Sequence, residues 1–195
     1  MVLAAATPGG GAPVTYSVDG AKSSVRVHVG KSGAFSFAGH RHEVEAPVAG
    51  TVTADAEHLD ASSVDLTFAA ARMRVLPEGE PPGDAAKVEE TMRGPKVLDT
   101  ARFSDIRFQS KAVTGRATTG GGYDLSLAGA LSLRGVTRDV TVPVKVVVEG
   151  RTLTATGHAT LRHDQFGMTP VSAAGGAVKV ANEIRIDLRI VAEER

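Results

Sequence analysis

Three histidines are the residues of this sequence whose type and spacing best suit chemistry: His40, His42 and His163. His40 and His42 are two positions apart, so both imidazoles project from the same face of a β-strand. Two imidazoles on one face can share a divalent metal or a haem iron, or hydrogen-bond the head group of a ligand. They can equally be hydrogen-bonded core or rim residues, because a His-X-His pair fixes no third ligand. All three roles stay open at this point.

The alternation of side chains over residues 34–44 determines which way the first two histidines face. In an unbroken strand, Arg41 and Glu43 would share the interior face with two phenylalanines, and unpaired charges in an apolar interior are very costly. A β-bulge at residues 38–39 shifts the phase by one residue and removes the conflict. The shifted phase predicts these interior side chains: Phe35, Phe37, His40, His42 and Val44.

The third histidine ends a stretch with strand periodicity over residues 153–163, in which it shares the apolar parity with Leu153 and Leu161. Arg162 has the opposite parity. Together with Arg72 and Arg74, Arg162 is a candidate for contacting an anionic head group at the mouth of a barrel. Arginines in such positions are more often outward-facing strand residues.

The sequence contains no motif of a serine hydrolase, a zinc protease or a phosphate-binding loop. The carboxylates of Asp105, Asp139 and Asp187 lie on polar parities, which does not indicate a buried acid–base pair. We therefore expect a protein without catalytic residues.

The elements that position the histidines centre on a predicted hairpin over residues 123–149. Leucines alternate with small residues in its first half and valines alternate in its second, around Arg134-Gly135. Gly129 predicts a bend within the first strand, which is about twice the usual length. Long antiparallel strands with one apolar side favour a closed barrel. A short helix over residues 85–93, capped by Asp84 and ended by Gly94, is expected at the barrel mouth.

Composition fits one domain with a sizeable core, since the chain has 195 residues. The 22 basic and 22 acidic residues leave no basic face, so we do not expect nucleic acid as a partner. No apolar run approaches the roughly 20 residues of a membrane span. There is no tryptophan, and only six phenylalanines and two tyrosines are present. An all-β protein with so few large side chains is expected to leave part of its interior unfilled.

Residues 1–13 are small, apolar and glycine-rich, and we interpret them as a flexible leader or the remnant of a signal peptide. The barrel domain is expected over residues 14–195. A signal remnant favours a periplasmic or secreted protein, with a cytoplasmic location as the alternative.

Several of these strands resemble the YceI-like, lipocalin-like family of polyisoprenoid-binding proteins. The similarity lies in Tyr16–Asp19, in the strand Phe103–Ser110, in the hairpin Leu131–Val140, in Phe166-Gly167 and in the closing strand Val180–Ile190. It covers roughly residues 15–191. Gln165 replaces the aspartate usual before the Phe-Gly pair, and His40-Arg41-His42 is not general to the family.

The resemblance implies an all-β protein with a single extended antiparallel lipocalin-like barrel around an apolar tunnel. It implies non-catalytic binding, transport or sequestration of an isoprenoid or another long-chain lipid. From the strand phases and the charge of Arg162, we expect the head group of this lipid near His40, His42 and Arg162. The partner would be this small-molecule lipid, of quinone type or similar, and both a monomer and a homodimer fit. The alternative is a metal- or haem-binding barrel with a redox or hydrolytic role that uses His40, His42 and His163. The expected ligand contacts are Phe35, Phe37, His40, His42, Phe68, Phe108, Leu127, Leu131, Val142, Val144, Arg162, His163 and Phe166.

Overall fold

The structure, a computed structural model, describes residues 12–32, 41–78, 80–173 and 178–195. Most of the expected leader, the interior positions of Phe35, Phe37 and His40, and the bulge at residues 38–39 lie outside the described residues.

Antiparallel β-strands make up most of the described chain. They are β1 (Val14–Val18), β2 (Ser24–Ser32), β3 (His42–Glu45), β4 (Val48–Ala54), β5 (Ser63–Ala69), β6 (Arg74–Val75), β7 (Asp105–Thr118), β8 (Gly122–Leu133), β9 (Val136–Glu149), β10 (Thr152–Arg162), β11 (Ser172–Ala173) and β12 (Val178–Glu194). One α-helix, α1 (Asp84–Arg93), joins β6 to the long loop before β7.

Eight of these strands close into a barrel in the order β1-β4-β5-β7-β8-β9-β10-β12, and β12 pairs back with β1. Strand β12 is 17 residues long and uses one edge for β10. Its other edge pairs first with β2, where Leu188 lies opposite Val25, and then with β1, where Glu194 lies opposite Tyr16. Strands β3 and β6 extend the sheet beyond β2. The predicted all-β lipocalin-like barrel is confirmed.

The predicted hairpin is formed by β8 and β9, which pair from Gly122 opposite Val147 to Leu133 opposite Val136. The two turn residues between them have positive φ angles, +52° at Arg134 and +73° at Gly135. This combination is the type I′ turn, whose twist matches that of the two strands. Arg134 also donates hydrogen bonds to the carbonyl oxygens of Gly167 and Pro95, which ties the hairpin to two neighbouring loops.

The sequence pattern slips between β5 and β6, and a single 3-10 turn at Ala70–Arg72 accounts for the slip. After this turn, Met73 and Val75 are buried whereas Arg72 and Arg74 are exposed. The turn therefore restores the apolar face of the sheet to the interior.

Helix α1 packs its apolar face, formed by Ala85, Val88 and Met92, against the core at one end of the barrel. It begins after Gly83, whose φ of +82° and lack of a side chain leave the helix without a side-chain cap. The expectation that Asp84 caps this helix is wrong, because Asp84 lies in the first turn and forms an ion pair with Lys87. Gly94 ends the helix as expected. No helix in the described ranges combines the length and apolar character needed to cross a membrane.

Gly129 lies on the inner face of β8, opposite a bulge of β7 between Ser110 and Ala112. A Cβ atom here would lie 2.5 Å from the carbonyl oxygen of Gln109 and 2.7 Å from the ring of Phe108. The absent side chain thus lets the Phe108 ring lie against the strand, and the expected bend coincides with this contact.

We expect Gly129→Ala to lower the free energy of unfolding by about 1–3 kcal/mol, because strand and ring must separate to admit the methyl group. Urea denaturation monitored by circular dichroism measures the loss. Gly120→Ala is the control, since a Cβ atom at Gly120 meets no atom within 4 Å. Equal stabilities of the two variants would contradict the close approach.

Candidate functional site

The barrel encloses a cavity of about 890 Å³. This volume is in the upper part of the range of roughly 300–1,000 Å³ that is typical of small-molecule sites. Apolar side chains from every strand of the closed ring line it, and they are mainly valine, leucine and isoleucine. They are the inward-facing residues of strands that alternate between interior and solvent, so the fold itself produces an apolar wall.

The cavity exists because few large side chains point into the barrel. Strand β10 contributes Ala155, Gly157 and Ala159 along its inner face, between Leu153 and Leu161. Much of the remaining wall is valine, as on β9, where Val140, Val142, Val144, Val146 and Val148 line the cavity. Such side chains are too short to meet across an eight-stranded barrel. The low aromatic content of the sequence is therefore one reason why the interior of the barrel stays unfilled.

Polar groups lie at the two ends of the cavity. At the end beside helix α1, these lining residues are His42, Asp84, Lys87, Thr91, His163 and Thr169. At the opposite end, formed by the end of β4 and the start of β5 and β8, they are Thr53, Asp55, Glu57, Ser62 and Tyr123. A long apolar guest along the barrel would therefore meet polar groups only near its two ends.

His163 is the buried polar group at the helix end, with 5% of its surface exposed. Its Nδ1 atom donates a hydrogen bond to the carbonyl oxygen of Asn182 at 3.1 Å. Burial lowers the pKa of His163 below its ordinary value of 6.5, and hydrogen bonds to the backbone of Asn182 and Ala181 offset part of that effect. The neutral ring with its proton on Nδ1 leaves Nε2 as a hydrogen-bond acceptor.

Arg162 precedes His163 but lies on the outer face, where 57% of its side chain is exposed. Its guanidinium binds Asp164 through two contacts, of 3.2 Å from Nε and 2.9 Å from Nη2. This guanidinium and the amide of Asn182 hold the pKa of Asp164 at about 2. Arg162 is absent from the cavity wall, so its expected place beside a head group is corrected: alternation within β10 turns it outward.

His42 also lies at the helix end, and its Nδ1 is 2.6 Å from an oxygen of Glu80. The Glu80 side chain is 1% exposed. His42 and His163 both line the cavity at its helix end, and both face inward as the strand phases predict, while His40 lies outside the described residues. Within the described ranges, no three His, Cys, Asp or Glu residues are grouped so that they could hold a metal ion.

Most of the other residues expected at the site line the cavity. They are Phe68, Phe108, Leu127, Leu131, Val142 and Val144. Phe166 is fully buried but belongs to the core behind the wall, because it lies in a 3-10 turn after β10 where strand alternation no longer applies. The expectation that Phe166 contacts the ligand is corrected accordingly.

The expected set omits inner residues of β2 and β12, among them Val25, Val27, Ile186 and Leu188, which line the same cavity. The signal for them is present in the sequence, since both strands alternate apolar and charged residues. Alternation alone does not distinguish a residue of a cavity wall from a residue of a filled core, so it does not mark these positions as ligand contacts.

Comparison with known protein families identifies the family to which this chain belongs. The model of the YceI-like domain matches residues 16–192. The chain belongs to the YceI-like family. Proteins of this family are known for binding hydrophobic ligands.

Solved YceI-like structures share this architecture. The crystal structure of Burkholderia cenocepacia BcnA has a TM-score of 0.67 with this protein, at 23% sequence identity, over 89% of this chain and 98% of BcnA. The Campylobacter jejuni YCEI protein has a TM-score of 0.56 at 12% identity, over 76% of this chain and 81% of its own. A mutant CJ YCEI protein with a monobromobimane guest has a TM-score of 0.55 at 13% identity, with the same coverage. At these identities the likeness shows the fold alone. No curated protein sequence matches the chain.

The environment of His163 predicts a pH dependence of stability. Because burial lowers its pKa in the folded state, the unfolded chain binds more protons between pH 6.5 and the lower folded-state value. The free energy of unfolding should therefore fall as the pH is lowered through this interval. In His163→Gln that contribution should disappear, which urea denaturation at intervals from pH 7.5 to about pH 5 measures.

The matched control for this measurement is His158→Gln, because His158 is exposed on the outer face of the same strand. The control should keep the wild-type slope. An unchanged slope in His163→Gln would show that protonation of His163 does not oppose folding.

Proposed function

We propose that this YceI-like protein binds and carries, or sequesters, an isoprenoid or another long-chain lipid inside its barrel, without catalysis. The observation that supports the proposal is the cavity of about 890 Å³, whose wall is apolar except at its two ends. An apolar chain suits the middle of this cavity, because water there would find few hydrogen-bond partners.

The wall suggests that affinity depends mainly on chain length. Burial of apolar surface contributes about 25 cal/mol per Å², so a guest that buries 400 Å² gains roughly 10 kcal/mol before ordering costs. Each added isoprene unit therefore strengthens binding until the chain fills the lumen. The head group contributes less, since the polar groups are confined to the ends of the cavity.

The helix end is the proposed position of the head group. His163 and His42 both line the cavity there, and a neutral His163 with its Nδ1 proton on Asn182 offers Nε2 as an acceptor. Such an end favours a neutral head group with a hydroxyl donor over an anionic one. Asp84 and Lys87 at the same end form an ion pair with each other, so this pair adds no net charge for a head group.

Mass spectrometry of an organic extract of the native protein tests the proposal directly. We expect a long-chain lipid in amounts comparable to the protein, and its absence from extracts of a heat-denatured and washed control. Extracts without lipid, combined with failure of the purified protein to take up prenols of increasing length, would contradict the proposal.

A variant that fills the lumen tests whether the ligand lies inside the barrel. Ala155→Trp places a large side chain on the inner face of β10, and we expect lipid affinity to fall by about tenfold or more because the guest loses contact area. Thr156→Trp is the matched control, since Thr156 is the next residue and exposed on the outer face. Fluorescent-lipid displacement gives the affinities, and equal affinities in both variants would place the ligand elsewhere.

We further propose a periplasmic or secreted location, which fractionation of cells that express the untagged chain would test. Recovery of the protein in the cytoplasmic fraction would contradict this location.

A further inference from the structure

A second concavity lies outside the barrel and is separate from the lumen. It has a volume of about 350 Å³. Residues from β3 and the segment after it, the 3-10 turn before β6, β6 itself and the end of α1 form it: Glu45, Pro47, Ala71, Arg72, Arg74 and Arg93. None of the lumen-lining residues belongs to it, so it is a distinct site.

Local structure brings two of its arginines to the same face. The 3-10 turn at Ala70–Arg72 resets the phase of the chain, after which Arg72 and Arg74 are exposed while Met73, between them, is buried. Neither guanidinium forms an ion pair with any residue in the described part of the chain. Two unpaired cations therefore point to the same side of the sheet edge.

The third arginine is held in place by the protein. Nη2 of Arg93 donates a hydrogen bond to the carbonyl oxygen of Met73 at 3.0 Å and lies 2.9 Å from Glu89 Oε1. The other oxygen of Glu89 accepts a hydrogen bond from the backbone N–H of Val75. Nε of Arg93 is buried and has no hydrogen-bond partner within the described ranges. Arg93 is thus fixed beside β6 through its Nη2 atom.

The charges around this concavity favour an anion. Arg72, Arg74 and Arg93 contribute three positive charges, and Glu45 in the wall and Glu89 beside Arg93 contribute two negative ones. Glu45 lies opposite Arg74 in the strand register without forming an ion pair with it in the described structure. The net charge is therefore positive by one. Arg93 is paired with Glu89, whereas Arg72 and Arg74 form no ion pair in the described structure.

We propose that Arg72, Arg74 and Arg93 form a binding site for a phosphate-type oxyanion on the outer surface of the barrel. Planar guanidinium groups match the oxygen geometry of phosphate and can bind it through paired hydrogen bonds. Free phosphate and the head group of an anionic phospholipid share this chemistry. A phospholipid source would bring the end of the barrel that carries α1 to a membrane surface.

The test compares the wild-type protein with the double variant Arg72→Gln, Arg74→Gln. Titration calorimetry with inorganic phosphate examines the free anion, and flotation with phosphatidylcholine vesicles, with and without phosphatidic acid, examines the head group. The matched control is Arg116→Gln, Lys145→Gln, which removes the same charge. Both control residues are exposed on β7 and β9, where they flank Asp124 in the strand register.

We expect phosphate, phosphatidic acid vesicles, or both to bind the wild type and the control. Binding to the double variant should be about tenfold weaker or lost. Binding of phosphate alone would assign a free anion, and binding of vesicles alone would assign the lipid head group. Failure of both ligands to bind the wild type would overturn the proposal, and so would equal binding by the two double variants.

Measuring lipid affinity for the lumen distinguishes a failure of this proposal from a failure of the proposed function. Lipid affinity measured by displacement should be the same in the wild type and in the Arg72→Gln, Arg74→Gln variant, because neither residue lines the lumen. Unchanged lumen affinity and thermal unfolding also show that the variant is folded. A parallel loss of lipid binding would mean that the two sites are not separate and would overturn the assignment.

Discussion

Apolar side chains that are too short to meet across a closed sheet are the constraint on which this structure depends. Closure requires inner faces that are apolar on all eight strands, and the alternation of residues along β8, β9, β10 and β12 provides them. A core of the same strands with more phenylalanine or tryptophan would fill the barrel. The run Ala155, Gly157, Ala159 shows the constraint at its clearest, because three consecutive inner positions of one strand carry almost no side chain.

The regular alternation of apolar and polar residues also explains how much of the fold the sequence predicts. Alternation over 27 residues, with Arg134-Gly135 between the halves, is a local signal, and the β8–β9 hairpin agrees with it in register and turn. The inward direction of His163 was predictable for the same reason, because His163 directly follows the last residue of β10 and still keeps the phase of that strand. Arg162 has the outward phase, and its expected role at the head group came from its charge and not from its position.

Predictions became less accurate where strand periodicity stops. Phe166 lies in a 3-10 turn, where a side chain's direction depends on tertiary packing and not on parity. The sequence predicts the wrong N-cap for α1 because aspartate is a good capping residue. In the structure the N-cap is Gly83, whose positive φ is set by the preceding loop and has no signal in the helix pattern. The arginine site outside the barrel combines residues from β6 and from the end of α1, which are about 20 positions apart, and no sequence period links them.

The pairing of β1 with β12 joins residue 16 to residue 194, so the ring closes between the two most distant strands of the chain. Contacts of such sequence separation are entropically expensive to form and are typical of slow-folding β proteins. On a ribosome, the other strands can pair with their neighbours as they emerge, but the lumen has no complete wall until the final strand is released. Any guest of the finished barrel is therefore acquired after β12 has emerged, or held by a sheet that is still open along one seam.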